Sequence, residues 1–213
     1  MSVAVIVNTA ALGPQSRDVL SSGKVPHKAR VKLLENVLLP RLCAEPLVDE
    51  VVVVGEWRPP EPDERWLYIP NASQNFDCTD ALAQRQAGAE FTTSRLLVFL
   101  HDDHVPASDF FKVLVQKYAN NGHWDVLVPE RRCWKGDEEV LLNNGRMELY
   151  VMGHACVMRR EIWQDVPWTD VPQVFTWDIG HTLLLRKACA RIEYVNDLIV
   201  YDAETTLGAE PWR

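Results

Sequence analysis

The sequence predicts an α/β fold built on a mostly parallel sheet with helices on both faces. Three observations carry this. Short apolar runs recur at Val3–Val7, Glu50–Val54 and Leu96–Leu100, the second of them β-branched, and such unalternating runs suit strands buried on both faces. Segments with a helical apolar period lie between them. No internal repeat, low-complexity tract or linker interrupts the chain, so one domain spanning 1–213 is expected.

The elements follow in order. Val3–Val7 is the first strand. Residues 28–42 carry Leu34, Val37, Leu38 and Leu42 at helical spacing, and this helix is expected to end after Pro40 and Arg41. Glu50–Val54 is the second strand, and Arg65–Ile69 is a short third one stopped by Pro70 and Asn71. Thr79–Phe91 reads as a helix with Thr79 or Asp80 as its cap. Leu96–Leu100 is the next strand and Ser108–Tyr118 the next helix. This β-α-β-β-α-β-α order is what a doubly covered parallel sheet requires. The second half is less regular. Asp125–Val128 reads as a strand, the charged and Trp-containing stretch 129–137 as a loop, and Gly153–Met158 as a strand. Arg159–Gln164 is a short helix, Trp168–Thr176 a Pro-containing loop and Asp178–Cys189 a helix. Arg191–Val195 and Leu198–Tyr201 close the chain as strands.

Composition narrows the classes. Of 213 residues, 47% are hydrophobic and 24% charged, the balance of a water-soluble globular chain. No stretch is long and apolar enough for a membrane span, and the N-terminus lacks the charged and apolar regions of a signal peptide, so a cytoplasmic location is expected. The five cysteines are scattered, odd in number and lack a Cys-x-x-Cys pair, which argues against a disulfide framework or structural zinc. The net charge of −8 argues against a broad nucleic-acid surface. Arg131-Arg132 and Arg159-Arg160 are the places where a local basic patch is conceivable.

The most informative segment runs from Leu96 to Pro106. A continuous apolar strand ends abruptly in His101-Asp102-Asp103-His104. Open α/β sheets bind ligands outside the carboxyl ends of their strands. Carboxylates beside imidazoles in that position suit a divalent cation holding phosphate. The plainer alternative is a polar loop leading into the helix near Ser108.

Taken in order, the motifs resemble the A-type-fold (GT-A-like, Rossmann-like) nucleotide-sugar glycosyltransferases, especially the large inverting family 2. Val5-Ile6-Val7-Asn8-Thr9 resembles that family's first strand and small polar turn. Val54-Gly55-Glu56 resembles its second strand, which ends in an acidic residue near the nucleotide base. Gln84-Arg85-Gln86-Ala87-Gly88 resembles its Ala-Arg-Asn-x-Gly helix, and His101-Asp102-Asp103 its Asp-x-Asp metal motif. Gly153-His154-Ala155-Cys156-Val157-Met158-Arg159-Arg160 resembles its Gly-containing strand with paired basic residues. Trp177-Asp178, opening a helix that reaches Arg186, resembles its acidic pair. The chain departs from the pattern at three points. A histidine stands for the first metal carboxylate, Trp177 replaces the first member of the acidic pair, and Asp202 stands near the family's late metal-binding histidine.

The resemblance implies a metal-dependent, inverting glycosyltransferase. Residues 1–104 would be the nucleotide-sugar-binding half and 105–213 the acceptor half. Asp103, His101 and Asp202 would hold Mn or Mg. Asn8, Thr9, Glu56, Arg85, Asp102 and His154 would contact the donor, a nucleotide-diphosphate sugar with UDP favoured. The cation would stabilise the departing diphosphate, and Asp178 would take the proton of the acceptor hydroxyl. Trp134, Trp168 and Trp177 are candidates for stacking on the acceptor. A soluble acceptor is expected: a saccharide, a small molecule, a protein, or a hydroxymethylated base in phage-type DNA. Two rivals stand beside this reading. One is a nucleotidyltransferase, against which Ala10-Ala11-Leu12-Gly13-Pro14 makes a poor phosphate loop. The other is a catalytically silent sugar-nucleotide-binding protein.

Overall fold

The computed structural model describes residues 1–9, 27–55, 64–70, 78–120, 123–142, 155–167, 177–203 and 207–208. Their core is one twisted sheet. In chain order its strands are β1 (Val3–Asn8), β2 (Glu50–Gly55), β3 (Leu67–Pro70), β4 (Leu96–His101), β5 (His104–Pro106), β6 (Val126–Gly136), β7 (Glu138–Leu141), β8 (Ala155–Arg159), β9 (Ile192–Asp202) and β10 (Leu207–Gly208). The helices are α1 (His27–Leu33), α2 (Leu39–Ala44), α3 (Cys78–Glu90), α4 (Phe110–Ala119), α5 (Arg160–Asp165) and α6 (Trp177–Lys187).

The sheet runs β3-β2-β1-β4-β8-β6-β9-β5, with β7 and β10 both joined to β6. β3, β2, β1 and β4 are parallel, and β6 is parallel to β9. β8 is antiparallel to both β4 and β6, and β5 is antiparallel to β9. The fold class expected from the strand pattern is therefore the one observed, and strands from both halves of the chain share one sheet.

Strand alternation divides the core in two. Val3, Val5 and Val7 of β1 and Leu96, Val98 and Leu100 of β4 pack beneath Leu34, Leu38 and Leu42, with Phe110 and Leu114 of α4. Ala4, Ile6, Leu97 and Phe99 point the other way, toward Leu82 and Ala89 of α3, Trp163 of α5 and Leu185 of α6. Every residue of β1 is buried, which is why the apolar runs were continuous. Gly88 lets α3 lie close on this second face. A Cβ there would overlap Ile6 Cγ2 and reach 3.1 Å from Val54 Cγ2.

Several elements differ from the sequence expectation. The first helix, expected over 28–42, spans His27–Ala44 and is not α-helical throughout. It passes from α1 through one π-turn, Leu34–Leu38, into α2, where Leu39 N–H donates to Leu34 O and Pro40 sits in the first turn. Proline cannot donate within a helix, and the wider turn before it accommodates the ring. α3 begins at Cys78, so Thr79 and Asp80 lie inside its first turn and are not its cap. Of the stretch 129–137, expected as a loop, residues 129–136 form the outer part of β6, which pairs with β7. Its charges pair across strands and along the strand: Arg132 donates to Glu130 at 2.5 Å and to Glu139 at 3.1 Å. Pro129 stands where the β6–β9 register shifts, the irregularity expected where a ladder donor is missing. The two closing strands are one, β9.

Candidate active site

β1 has β2 on one side and β4 on the other, so the strand order reverses between β1 and β4. Loops leaving the carboxyl ends of strands diverge at such a switch point and leave a crevice. Asn8 is paired with His101 across it. Asp102 N–H donates to Asn8 O at 3.2 Å, and Thr9 N–H donates to Val54 O at 2.9 Å. Asn8, Thr9, His101, Asp102 and Asp103 are thereby gathered at one end of the sheet. Gly55 closes β2 beside them with φ +146°. Asn8 and Thr9 are buried, and Asn8 Oδ1 has no hydrogen-bond partner among the described residues.

The acidic pair is held by a residue that the sequence reading did not single out. Arg30 of α1 reaches Asp103 Oδ2 at 2.5 Å through Nη2 and Asp102 Oδ1 at 3.3 Å through Nη1. His104 Nδ1 lies 2.6 Å from Asp103 Oδ1. Arg30, Asp102 and Asp103 are all buried. Burial alone would raise the Asp103 pKa, but the neighbouring His104 and the Arg30 guanidinium hold it well below the usual carboxylate range. A signal for Arg30 was present in the sequence: it lies four residues before Leu34 and eight before Leu38, on the stripe that faces the sheet. Asp102 is in phase with Leu96, Val98 and Leu100, whose side chains point to that same face. The first turns of α1 lie over the strand ends, so a cation there meets the carboxylates.

Asp202 ends β9 and pairs with His104 of β5. Ala203 N–H donates to Asp103 O at 2.9 Å, which brings the end of β9 against the acidic pair. The Asp202 carboxylate is fully buried and ion-paired with Arg131. The His101 and His104 rings meet edge to face at 5.9 Å. Burial first, then the charge of Arg85, pushes the His101 pKa down to about 3, with Asp103 opposing. The ring is neutral at physiological pH.

A divalent cation needs several oxygen or imidazole donors converging on one point. Among the described residues no three His, Cys, Asp or Glu side chains do so. Asp102, Asp103 and Asp202 each carry a guanidinium partner. The donor set arranged in this way does not fit a metal ion.

Arg85 of α3 lies deeper, fully buried on the second face. Its guanidinium stacks over Phe99 at 5.6 Å and contacts Cys156 Sγ at 4.0 Å. Burial drives the Cys156 thiol up to about 11 and the His181 imidazole down to about 3. Asp178 stands in the first turn of α6; its side chain, with Glu56, His154, Trp168 and the 10–14 segment, lies outside the described residues. Arg159 and Arg160 belong to the opposite end of the sheet, where Arg159 pairs with Leu96 at the start of β4. Arg159 stacks on Trp124 at 4.7 Å, and Arg160 donates to Ser94 O at 2.6 Å and to Thr92 Oγ1 at 2.6 Å. This pair braces the sheet's amino end.

No family model and no curated protein sequence matches the chain. Solved structures do. S. aureus TarS, residues 1-349, superposes with a TM-score of 0.59 at 17% identity, covering 94% of this chain and 60% of that one. The same protein in complex with UDP-GlcNAc gives 0.61 at 16% identity, covering 94% and 58%. The mannosyltransferase PcManGT from Pyrobaculum calidifontis, in complex with GDP-Man and Mn2+, gives 0.56 at 15% identity, covering 94% and 56%. The fold is the A-type glycosyltransferase fold, and the chain spans about 60% of the length of these structures.

Proposed function

We propose that this chain is a nucleotide-sugar glycosyltransferase whose donor diphosphate lies across the β1–β4 switch point. The observation that carries the reading is the convergence of Asn8, Thr9, Gly55 and the Asp102–Asp103 pair at that point, in a fold shared with TarS and a mannosyltransferase. Two of the structures it resembles hold UDP-GlcNAc and GDP-Man, which supports a nucleoside-diphosphate sugar as the donor class; we take UDP as the first nucleotide to test. No helix among the described residues is long and apolar enough to cross a membrane, which is compatible with a soluble acceptor.

The reaction we infer is a single displacement. The acceptor hydroxyl attacks the anomeric carbon from the face opposite the diphosphate. The bond to the diphosphate breaks, the leaving group takes the electron pair, and the hydroxyl proton passes to the Asp178 carboxylate. Asp178 opens α6 in the half of the chain that would face the acceptor.

Asp178→Asn keeps the shape and removes the basic oxygen. Turnover of the accepted donor should fall by roughly a hundred- to ten-thousand-fold, while donor binding by calorimetry stays within a factor of about two. Wild-type turnover in Asp178→Asn, or a product that retains the donor's anomeric configuration, refutes the single displacement. Nucleotide binding without any transfer or hydrolysis would identify a silent binder.

A further inference from the structure

We propose that Arg30 takes the place of a divalent cation at the acidic pair, so that this chain neutralises Asp102 and Asp103 with its own guanidinium. The location rests on the donor-site reading; the ion chemistry stands on the geometry alone. One guanidinium spans both carboxylates, at 2.5 Å and 3.3 Å, with all three groups buried. His104 takes the remaining oxygen of Asp103 at 2.6 Å. Arg131 pairs with the third carboxylate, Asp202. Three carboxylates beside a diphosphate would repel it. The two guanidinium groups cut this to a single residual negative charge, and so do the screening that a cation would otherwise do.

A planar fork suits this role. Arg presents parallel N–H donors that match two carboxylate oxygens, and it stays charged when buried. The site is also built for it. Arg30 is fixed by the Leu34 and Leu38 stripe that seats the helix on the sheet. A metal ion would have to displace a paired, buried cation, and its apparent affinity falls by the fraction of time the carboxylates are free.

Mn2+ binding measured by the loss of the free-ion EPR signal tests this, using the whole chain with the metal alone. Wild type should bind no Mn2+ at micromolar concentrations. Arg30→Met, which keeps the stem and deletes the charge, should bind Mn2+ roughly ten-fold more tightly or better. Arg30→Met combined with Asp103→Asn should lose that gain. Arg30→Lys keeps one charge but cannot bridge both carboxylates, so its affinity should fall between the two. It serves as the test if Arg30→Met does not fold, as judged by circular dichroism and thermal melting. Micromolar Mn2+ binding in wild type that Asp103→Asn abolishes overturns the proposal. So does an Arg30→Met protein, or Arg30→Lys if that alone folds, that is folded and binds Mn2+ no better than wild type. The measurement contains no nucleotide and no turnover, so failure of the donor reading leaves its outcome intact.

Discussion

Gly55 sits at φ +146°, a backbone region that side chains rarely enter. Space is lacking as well. A Cβ there would overlap Thr9 Oγ1 and lie 2.9 Å from the Thr9 carbonyl oxygen. Thr9 cannot move freely, because its N–H is bound to Val54 O at 2.9 Å. Gly55→Ala therefore strains the end of β2 and pushes on the β1 turn together. We expect a loss of about 1–3 kcal/mol of stability, read from the urea midpoint. Donor binding should weaken with it, because Thr9 and Asn8 border the switch point. Unchanged stability together with unchanged nucleotide affinity would show that this close approach is incidental. The need for glycine at 55 was not legible in the sequence. Val54-Gly55-Glu56 marked a strand end, but the crowding comes from Thr9, forty-six residues earlier.

Among elements, the start of β2 is tied to the turn between α3 and β4 by one carboxylate. Glu50 accepts from Thr93 N–H at 3.1 Å, from Ser94 N–H at 2.8 Å and from the Ser94 hydroxyl. Partial burial raises the Glu50 pKa, but these hydrogen bonds outweigh it and leave the group below its ordinary value of 4.5. The sign follows by linkage. The folded state binds this proton more weakly than the unfolded chain, so the contribution is complete above the ordinary value. It is lost as pH falls below 4.5 and through the lowered folded value. Glu50→Gln should cost about 1 kcal/mol at pH 7, a modest figure because the carboxylate keeps access to solvent. The difference from wild type should shrink in urea titrations as the buffer is made more acidic. A gap that stays constant down to strongly acidic buffer would remove Glu50 as its source. Elements were legible in the sequence where burial made the pattern continuous, as in β1, β2 and β4. They were illegible where strands carry charge. Glu130, Arg131 and Arg132 look like loop residues until β7 and β9 are in place to pair them. The candidate site divides the same way. The strand-end run His101-Asp102-Asp103 was readable, whereas Arg30 and Arg131 become part of it only through the packing of α1 and the β6–β9 register.

At the scale of the whole molecule, the switch point lies between β1 and β4, two of the most buried strands, and it draws in the end of β2. A ligand seated there is held by elements that separate only when the sheet opens, so its binding free energy should appear in global stability and not in a local loop. A nucleotide sugar at a concentration about a hundred times its dissociation constant stabilises the native state by about 2.7 kcal/mol. For a chain of this size each kcal/mol moves the melting temperature by roughly 2–4 °C, so the shift should be roughly 5–10 °C. Differential scanning fluorimetry with UDP-GlcNAc, GDP-Man and their nucleoside diphosphates checks this. Repeating each scan with a chelator separates the two proposals. With Arg30 neutralising the carboxylates, the shift should survive removal of divalent ions. A shift that appears only with Mn2+ keeps the donor site and discards the guanidinium as its counter-ion. No shift with any of the four ligands discards the donor site itself. The geometry at β1 and β4 then remains a property of the fold without the chemistry proposed for it.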